Sequence, residues 1–296
     1  VYVDPEPFNI SYIMSECHEM ARGAKVDQKV NGMVQAFAYR SHLAPEGKAP
    51  KGAVPEWFAA KPDAKYLTMP PDMVQEAIWT LFSHRLDAIQ MHGCQALADV
   101  TRFGKKEGNY RYTNGRTQQV VSNLFNGVGA ELGPLFKALP ESGNEIAMVE
   151  SYAASIFANR GGFGNGSHQL CDLGALATLA CLQPRVLYEE DIAKNGIPAE
   201  TKVLLMPHCD VLTRPTYEAV CAFQSKGGSV VGDKYLVPGI LPDAMFPPYA
   251  KVGLAEKDTP VFRRAAKSLK DAVNELMPLK ADVDRDDIFV RLCSLP

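Results

Sequence analysis

Three apolar runs decide the fold of this sequence: Val186-Leu-Tyr188, Lys202-Val-Leu-Leu-Met206 and Ser229-Val-Val231. Short runs of apolar and β-branched residues are typical of strands that are buried on both faces of a parallel sheet. A helix is predicted before the last run, at Arg214–Lys226, and Gly227-Gly228 supplies the left-handed turn that ends it. The alternation of buried strands and helices indicates an α/β domain with a doubly wound sheet.

The same alternation continues upstream, with a strand predicted at Glu145–Val149 and a helix at Leu170–Leu182. The run Pro140–Gly143 interrupts the chain, so we place a domain boundary there. We therefore predict a doubly wound domain at residues 142–282. Residues 283–296 begin a further β segment, with a strand at Ile288–Leu292.

Residues 1–141 form a first α/β domain in which predicted strands and helices alternate. The strands are predicted at Val1–Val3, Gly32–Ala38 and Ala88–Met91, and the helices at Ser15–Gly23, Pro71–His84 and Thr117–Leu139. The last helix is expected to turn one apolar face inward, formed by Val121, Leu124, Phe125, Val128, Leu132, Leu135 and Phe136. The irregular connection Ser41–Tyr66 follows a strand, and connections of this length are usually functional.

Composition argues against several classes of partner. The 296 residues carry a formal net charge of -3, and no basic stripe suited to nucleic acid is present. The longest apolar stretches, such as Leu173–Leu182, fall short of the roughly 20 residues that span a bilayer. We therefore expect neither nucleic acid nor a membrane as a partner, and no compartment is indicated.

The seven cysteines are scattered and form no CxxC pair or Cys/His cluster at metal-ligand spacing. We interpret them as buried thiols. The sequence thus predicts no metal site.

Two sets of motifs together resemble a known family. In the first half they are Val1-Tyr-Val-Asp4-Pro-Glu6-Pro7, Gly32-Met-Val-Gln35-Ala-Phe-Ala-Tyr39-Arg40 and Leu86-Asp-Ala-Ile-Gln-Met-His92-Gly-Cys-Gln95. In the second half they run from Val186-Leu-Tyr through Lys202-Val-Leu-Leu-Met-Pro207-His-Cys-Asp to Gly227-Gly-Ser-Val-Val-Gly-Asp233. Their order and spacing are similar to those of β-galactosidase-like glycoside hydrolases, in which a (β/α)8 barrel precedes a trimerisation domain of glutamine-amidotransferase-like fold.

The resemblance implies that residues 1–141 supply about the sixth to eighth strands of a (β/α)8 barrel. It implies that residues 142–282 form a flavodoxin-like domain of the trimerisation type, and that an all-β module follows. A carbohydrate substrate, a homo-oligomer and the absence of any cofactor are further implications. The chain is then expected to be an internal or C-terminal segment of a longer protein.

The sequence departs from the family at the catalytic positions. Enzymes of this kind place one glutamate after the fourth strand and another at the end of the seventh. The fourth strand is absent from this chain, and the seventh offers Gln35, Tyr39 and Arg40 but no carboxylate. These three residues are candidates for binding substrate, whereas the two-glutamate assignment does not transfer.

Asp4 and Glu6 are the candidate catalytic residues. Glycosidic cleavage commonly needs two carboxyl groups, one to protonate the leaving oxygen and one to act as nucleophile or to activate water. Two residues apart in an extended segment, Asp4 and Glu6 project to the same side, about 6 to 7 Å apart. The alternative is structural, with one carboxylate capping a loop or pairing with Arg40 and the other in solvent.

Further candidates follow the third strand or lie in the long connection. His92 and Gln95 are placed to bind sugar hydroxyls, although a histidine at a strand end also serves as a structural hydrogen-bonding group. Trp57 is a candidate platform for sugar stacking. Trp79 lies close to the apolar stripe of its helix and is predicted to belong to the core.

Two motifs in the second half resemble sites of other classes. Gly161–Gly166 resembles a phosphate-binding loop but lacks the spacing of the known motifs, so it is interpreted as a connecting loop. Cys209 and Cys221 invite comparison with the amidotransferase nucleophile, but Cys209 is flanked by His208 and Asp210 rather than by glycines. This domain is therefore expected to be a scaffold without thiol catalysis.

Three hypotheses of function result. The first is a glycoside hydrolase that cleaves a β-linked sugar by carboxylate acid/base chemistry. The second is a non-catalytic carbohydrate-binding or assembly protein that retains the glycosidase fold. A flavodoxin-like electron carrier is the third.

Overall fold

The computed structural model describes residues 2–3, 7–24, 26–40, 55–139, 145–158, 167–248, 259–281, 283 and 290–293. The chain divides into two compact units. Unit 1 contains Val1–Ile10 and Lys29–Leu139, and unit 2 contains Ser11–Gln28 and Pro140–Pro296.

Unit 1 is built on a parallel sheet of three strands. Strands β1 (Tyr2–Val3), β2 (Asn31–Gln35) and β5 (Ala88–His92) lie side by side in chain order, with β2 in the centre. The register places Gln35 opposite His92. The predicted parallel α/β arrangement of these strands is confirmed.

The structure ends the second predicted strand earlier than expected and starts a hairpin. Ala36 interrupts it, because its N–H donates to the carbonyl of His92 and its own carbonyl accepts from Met69. Strand β3 (Phe37–Tyr39) then pairs antiparallel with β4 (Tyr66–Thr68). The prediction of one strand over Gly32–Ala38 was therefore wrong.

The helix between β4 and β5 forms as expected. Helix α3 (Pro71–Phe82) follows the short helix α2 (Glu56–Ala59), and Pro71 occupies its first turn. Its buried face consists of Val74, Ala77, Ile78 and Leu81. Trp79 is 44% exposed, so its predicted place in the core was wrong. The residue lies on the helix flank, where its ring packs edge-on against Phe82.

The predicted helix Thr117–Leu139 is interrupted by a π-helical segment. Helix α4 (Gly115–Asn123) leads into the π segment Leu124–Gly129 and then into α5 (Ala130–Ala138). A π turn rotates the residues that follow it relative to an α-helical face. Accordingly Leu124 is buried, whereas Leu132 and Leu135 are exposed, and the predicted continuous inward face was wrong.

Unit 2 contains a five-stranded parallel sheet. Its strands are β6 (Ile146–Glu150), β7 (Arg185–Tyr188), β8 (Val203–Met206), β9 (Ser229–Gly232) and β10 (Ala244–Met245). The spatial order is β7-β6-β8-β9-β10, which is 2-1-3-4-5 when strands are counted from β6. The direction of winding thus reverses between β6 and β8. Every residue of β6 and β8 is buried, as the apolar runs predict.

Helices accompany this sheet along the chain. They are α1 (Pro7–Gly23), α6 (Tyr152–Phe157), α7 (Ser167–Leu179), α8 (Glu189–Asn195), α9 (Arg214–Ser225) and α10 (Thr259–Leu276). Helix α1 begins eight residues before its predicted start at Ser15. Gly227 follows α9 with φ 91°, so the predicted left-handed turn is confirmed. Within the described ranges, no helix is both long and apolar enough to span a bilayer.

Candidate functional site

The carboxyl ends of β2 and β5 bring together two of the candidate residues. Gln35 is 1% exposed, and its Nε2 donates to the carbonyl of Phe37 at 2.9 Å. Its Oε1 is buried and accepts no hydrogen bond from the residues that the structure describes. His92 lies opposite Gln35 on the neighbouring strand. An amide acceptor and an imidazole therefore occupy paired positions at the edge where parallel sheets carry their sites.

Aromatic rings surround His92. Phe37, Tyr39, Tyr66 and Tyr110 form what we call the strand-end aromatic cluster. Phe37 stacks on Tyr110 with ring centroids 4.3 Å apart, and it lies 5.6 Å from the His92 ring. Tyr39 meets Tyr66 edge-on at 5.1 Å. The three tyrosines are half-buried, so the cluster can offer both ring faces and hydroxyl groups to a ligand.

The Arg40 guanidinium binds backbone carbonyl groups of the chain segment 55–64. Its guanidinium donates to the carbonyl oxygens of Ala64 at 2.7 Å, Phe58 at 2.9 Å and Lys61. The same group lies 4.4 Å above the Phe58 ring. These contacts give Arg40 a structural role at residues 55–64. A contact between Arg40 and substrate stays a prediction.

Trp57 and Gln95 lie at different places in unit 1. Trp57 is half-buried and packs edge-on against Phe58, at 5.9 Å between ring centroids. Gln95 is exposed and its amide lies against Gly108, where an added Cβ would come within 2.6 Å of Oε1. Among the described residues, Trp57 makes no ring contact with the strand-end aromatic cluster. The sugar-binding roles of Trp57 and Gln95 stay predictions.

Several predicted motifs lie outside the described residues. They are the candidate catalytic residues Asp4 and Glu6, and the glycine-rich segment Gly161–Gly166. The predicted strand Ile288–Leu292 falls largely outside them as well. Among the residues that are described, no three His, Cys, Asp or Glu side chains are grouped as a metal site requires.

Unit 2 contains a buried carboxyl pair that the sequence analysis missed. Glu150, the last residue of β6, is 2% exposed and is hydrogen-bonded to Glu16 of α1. Burial, followed by the charge and the hydrogen bond of Glu150, raises the pKa of Glu16 to about 9. The Tyr12 hydroxyl donates to Glu150 Oε2 at 3.3 Å. The pair therefore holds one proton at neutral pH.

The spacing along α1 is a signal that could have revealed this pair. Tyr12, Glu16 and Glu19 follow at intervals of four and three residues, so they share one helix face. A face carrying two carboxylates and a phenol next to apolar Ile10 and Met14 predicts burial with polar partners. Those partners come from strands more than a hundred residues away, which local spacing does not identify.

Arg185 and Tyr188 of β7 complete the environment of this polar face of α1. Arg185 donates two hydrogen bonds to Glu19, at 2.7 and 3.1 Å. The Tyr188 hydroxyl is buried without a hydrogen-bond partner among the described residues. Burial, then the charges of Glu150 and Glu16, raises the pKa of Tyr188 far above its usual range. Tyr188 thus stays a neutral phenol.

The thiol at Cys209 is enclosed. The residue is 0% exposed, and burial raises its pKa well above the usual thiol value. Its neighbour His208 has φ 55° and donates its backbone N–H to Asp233 Oδ2 at 3.0 Å. A protonated, inaccessible thiol is a poor nucleophile. The geometry agrees with a scaffold role at this position.

No protein-family model matches the chain, and no curated protein matches it. Among solved structures, the β-galactosidase from the psychrophilic Marinomonas ef1 is similar over 77% of this chain and 31% of its own, with 11% identity and a TM-score of 0.46. The GH42 exo-carrageenase from Bacteroides ovatus is similar over 70% of this chain and 28% of its own, with 16% identity and a TM-score of 0.37. Both are glycoside hydrolases at low identity, and this chain spans less than a third of either. At TM-scores below 0.5, neither similarity defines the fold.

Proposed function

We propose that this chain belongs to a glycoside hydrolase that cleaves a β-linked sugar with carboxylate acid/base chemistry. The observation that carries the proposal is the meeting of Gln35 and His92 at the carboxyl ends of adjacent parallel strands, beside the strand-end aromatic cluster. Sugar sites combine hydrogen-bonding side chains with aromatic faces, and barrel enzymes place them at this end of the strands.

The proposed architecture is the last third of a (β/α)8 barrel, strands six to eight, in residues 1–141. Strands β1, β2 and β5 lie in chain order, as barrel strands do, unlike the switched order of unit 2. Strand β5 exposes Ala88 and Gln90, although parallel strands are normally covered on both faces. These features favour further strands beside β5.

We further propose that residues 142–282 form a flavodoxin-like domain that joins subunits into a trimer, and that residues 283–296 begin a β segment. The strand order 2-1-3-4-5 supports a flavodoxin-like fold. Light scattering on the full-length protein tests the assembly. A trimer at micromolar concentration is expected, and a monomer would overturn the assembly role.

In the proposed chemistry, Asp4 and Glu6 share the acid/base work. Gln35, Tyr39 and His92 bind sugar hydroxyls, and a sugar face packs on a cluster tyrosine or on Trp57. Gln35 suits this task because its buried acceptor oxygen lacks a partner among the described residues, so a sugar hydroxyl would supply the missing donor.

Hydrolysis of aryl β-glycosides by the full-length protein tests the proposal. Asp4→Asn and Glu6→Gln keep side-chain shape and remove proton chemistry, and at least one should lower kcat by about 10² to 10⁴. Glu131→Gln, which changes an exposed carboxylate of α5, is the matched control and should act like the wild type. Unchanged kinetics in both variants would remove these carboxylates from the mechanism.

A non-catalytic carbohydrate-binding protein is the second candidate. It is favoured by the segment that resembles the seventh strand, which offers Gln35, Tyr39 and Arg40 but no carboxylate. An amide can hold a sugar hydroxyl but cannot act as nucleophile or base. Saturable sugar binding by the full-length protein, without hydrolysis of any aryl glycoside, would support this candidate.

A further inference from the structure

Unit 2 contains a cavity of about 940 Å³ between the end of α1 and the face of α8. We call it the α1–α8 cavity. Its wall includes the charged side chains Glu19, Arg22, Arg185, Glu190, Asp191 and Lys194. The volume is typical of sites for ligands of drug or disaccharide size.

The acidic and basic side chains in the wall of this cavity are equal in number. Three acidic and three basic side chains contribute to the wall. Glu19 is already paired with Arg185 at 2.7 Å and with Arg22 at 3.0 Å. Glu190 and Lys194 are exposed, and no ion pair joins either one to another described residue. The Glu190 carboxylate and the Lys194 ammonium group therefore remain available to a ligand, whereas Asp191 accepts a hydrogen bond from Asn195.

The cavity runs along the edge strand β7, since both the first residue of that strand, Arg185, and its last residue, Tyr188, form part of the wall. The turn after α8 contributes Gly196 and Pro198. Tyr188 also interacts electrostatically with Glu150 and Glu16, neither of which forms part of the described wall.

We propose that the α1–α8 cavity binds a neutral, hydroxyl-rich ligand of disaccharide size. An anionic ligand would be repelled by Glu190, Asp191 and Glu19, and a cationic ligand would be repelled by the three basic groups. A net charge on the ligand would therefore add little to its binding free energy. A hydroxyl group can donate to the Glu190 carboxylate and accept from the Lys194 ammonium. Apolar contact with the carbon skeleton comes from Met20, Pro198 and the Tyr188 ring.

The site is independent of the proposed barrel chemistry, because all its residues belong to unit 2. The probe is a sulfur-linked digalactoside, which resists hydrolysis, titrated calorimetrically into the full-length protein. Sugar binding at the proposed barrel site is removed in a background carrying Gln35→Ala, Tyr39→Phe and His92→Ala, the three residues proposed to bind sugar hydroxyls there. Glu190→Gln and Lys194→Gln change exposed groups of the cavity, and Lys226→Gln on the chain after α9 is the control.

The expected result is saturable millimolar binding in this background. Glu190→Gln or Lys194→Gln should weaken it about tenfold, since hydrogen bonds to charged groups are lost, while Lys226→Gln should leave it unchanged. Absence of saturation, or binding that both cavity substitutions leave intact, would overturn the proposal. Tighter binding of a zwitterionic amino acid than of the sugar would overturn its ligand class.

Discussion

Glu16 of α1 and Glu150 at the end of β6 are hydrogen-bonded carboxyl groups, and Glu150 is 2% exposed. Two buried carboxylates in contact cannot both be ionised, so one proton binds between them. The pair connects a helix near the start of the chain to the central part of the second sheet. Its proton makes the stability of unit 2 depend on pH.

The first prediction concerns this pH dependence. The pKa of Glu16 rises from 4.5 in the unfolded chain to about 9 in the folded one. The folded state therefore binds the extra proton, and the stabilisation is full below about pH 4.5 and is lost as pH rises toward 9. The loss is at most about 1.4 kcal/mol per pH unit.

Denaturant unfolding of the full-length protein at pH 5, 7 and 9 measures this effect. Glu16→Gln carries a permanent N–H donor toward Glu150, so its unfolding free energy should change less with pH than that of the wild type. Glu218→Gln, an exposed carboxylate on α9, is the control. Equal pH slopes in Glu16→Gln and the wild type would show that the pair does not share a proton.

The second prediction concerns Arg185, whose guanidinium makes two hydrogen bonds to the 5%-exposed Glu19. Arg185→Met leaves Arg22 as the one cation paired with Glu19 among the described residues. The expected loss is about 3 kcal/mol of unfolding free energy, because a buried charge loses its principal partner. Adding Glu19→Gln should recover part of this loss.

Lys267→Met is the contrasting variant, since Lys267 and Asp271 form an exposed pair on α10. Its effect should stay below about 1 kcal/mol. Similar losses in Arg185→Met and Lys267→Met would contradict a special role for burial at Arg185.

The third prediction concerns the close approach of Gly174 on α7 to Tyr12 on α1. A Cβ added at Gly174 would lie 2.5 Å from ring atoms of Tyr12. Gly174→Ala should therefore destabilise the protein by about 1 to 3 kcal/mol through overpacking. Gly133→Ala on α5, where nothing lies within 4 Å, should be neutral or slightly stabilising by helix propensity. Thermal unfolding compares the two.

The fourth prediction separates the structural and ligand roles of Arg40. Arg40→Lys cannot contact three carbonyl oxygens from one planar group, so the segment 55–64 should loosen and unfolding free energy should fall by about 2 kcal/mol. If the role is structural only, KM for an aryl β-glycoside changes little at a temperature where the variant is folded. A large rise in KM without loss of stability would restore the substrate-binding role.

The parallel strands of both units except β10 could be predicted from the sequence, because their signals are local. Val203–Met206 is a continuous apolar run, and burial of every residue in it is what such a run indicates. Helix α3 likewise carries its apolar stripe at helical spacing after Pro71. For the candidate site, the second and third predicted strands are adjacent, with Gln35 opposite His92, but the predicted end of the second strand at Ala38 was wrong.

Other features required the tertiary structure, because they depend on pairings between distant residues. Ala36 ends β2 only because His92 and Met69 supply its hydrogen-bond partners. The buried partner of Tyr12 lies 138 residues away at Glu150. The sequence by itself determined the main buried strands and the amphipathic helix α3, since periodicity and turn residues act locally. Only the tertiary structure decided which polar groups are buried together, because burial of a carboxyl group is set by the elements that pack around it.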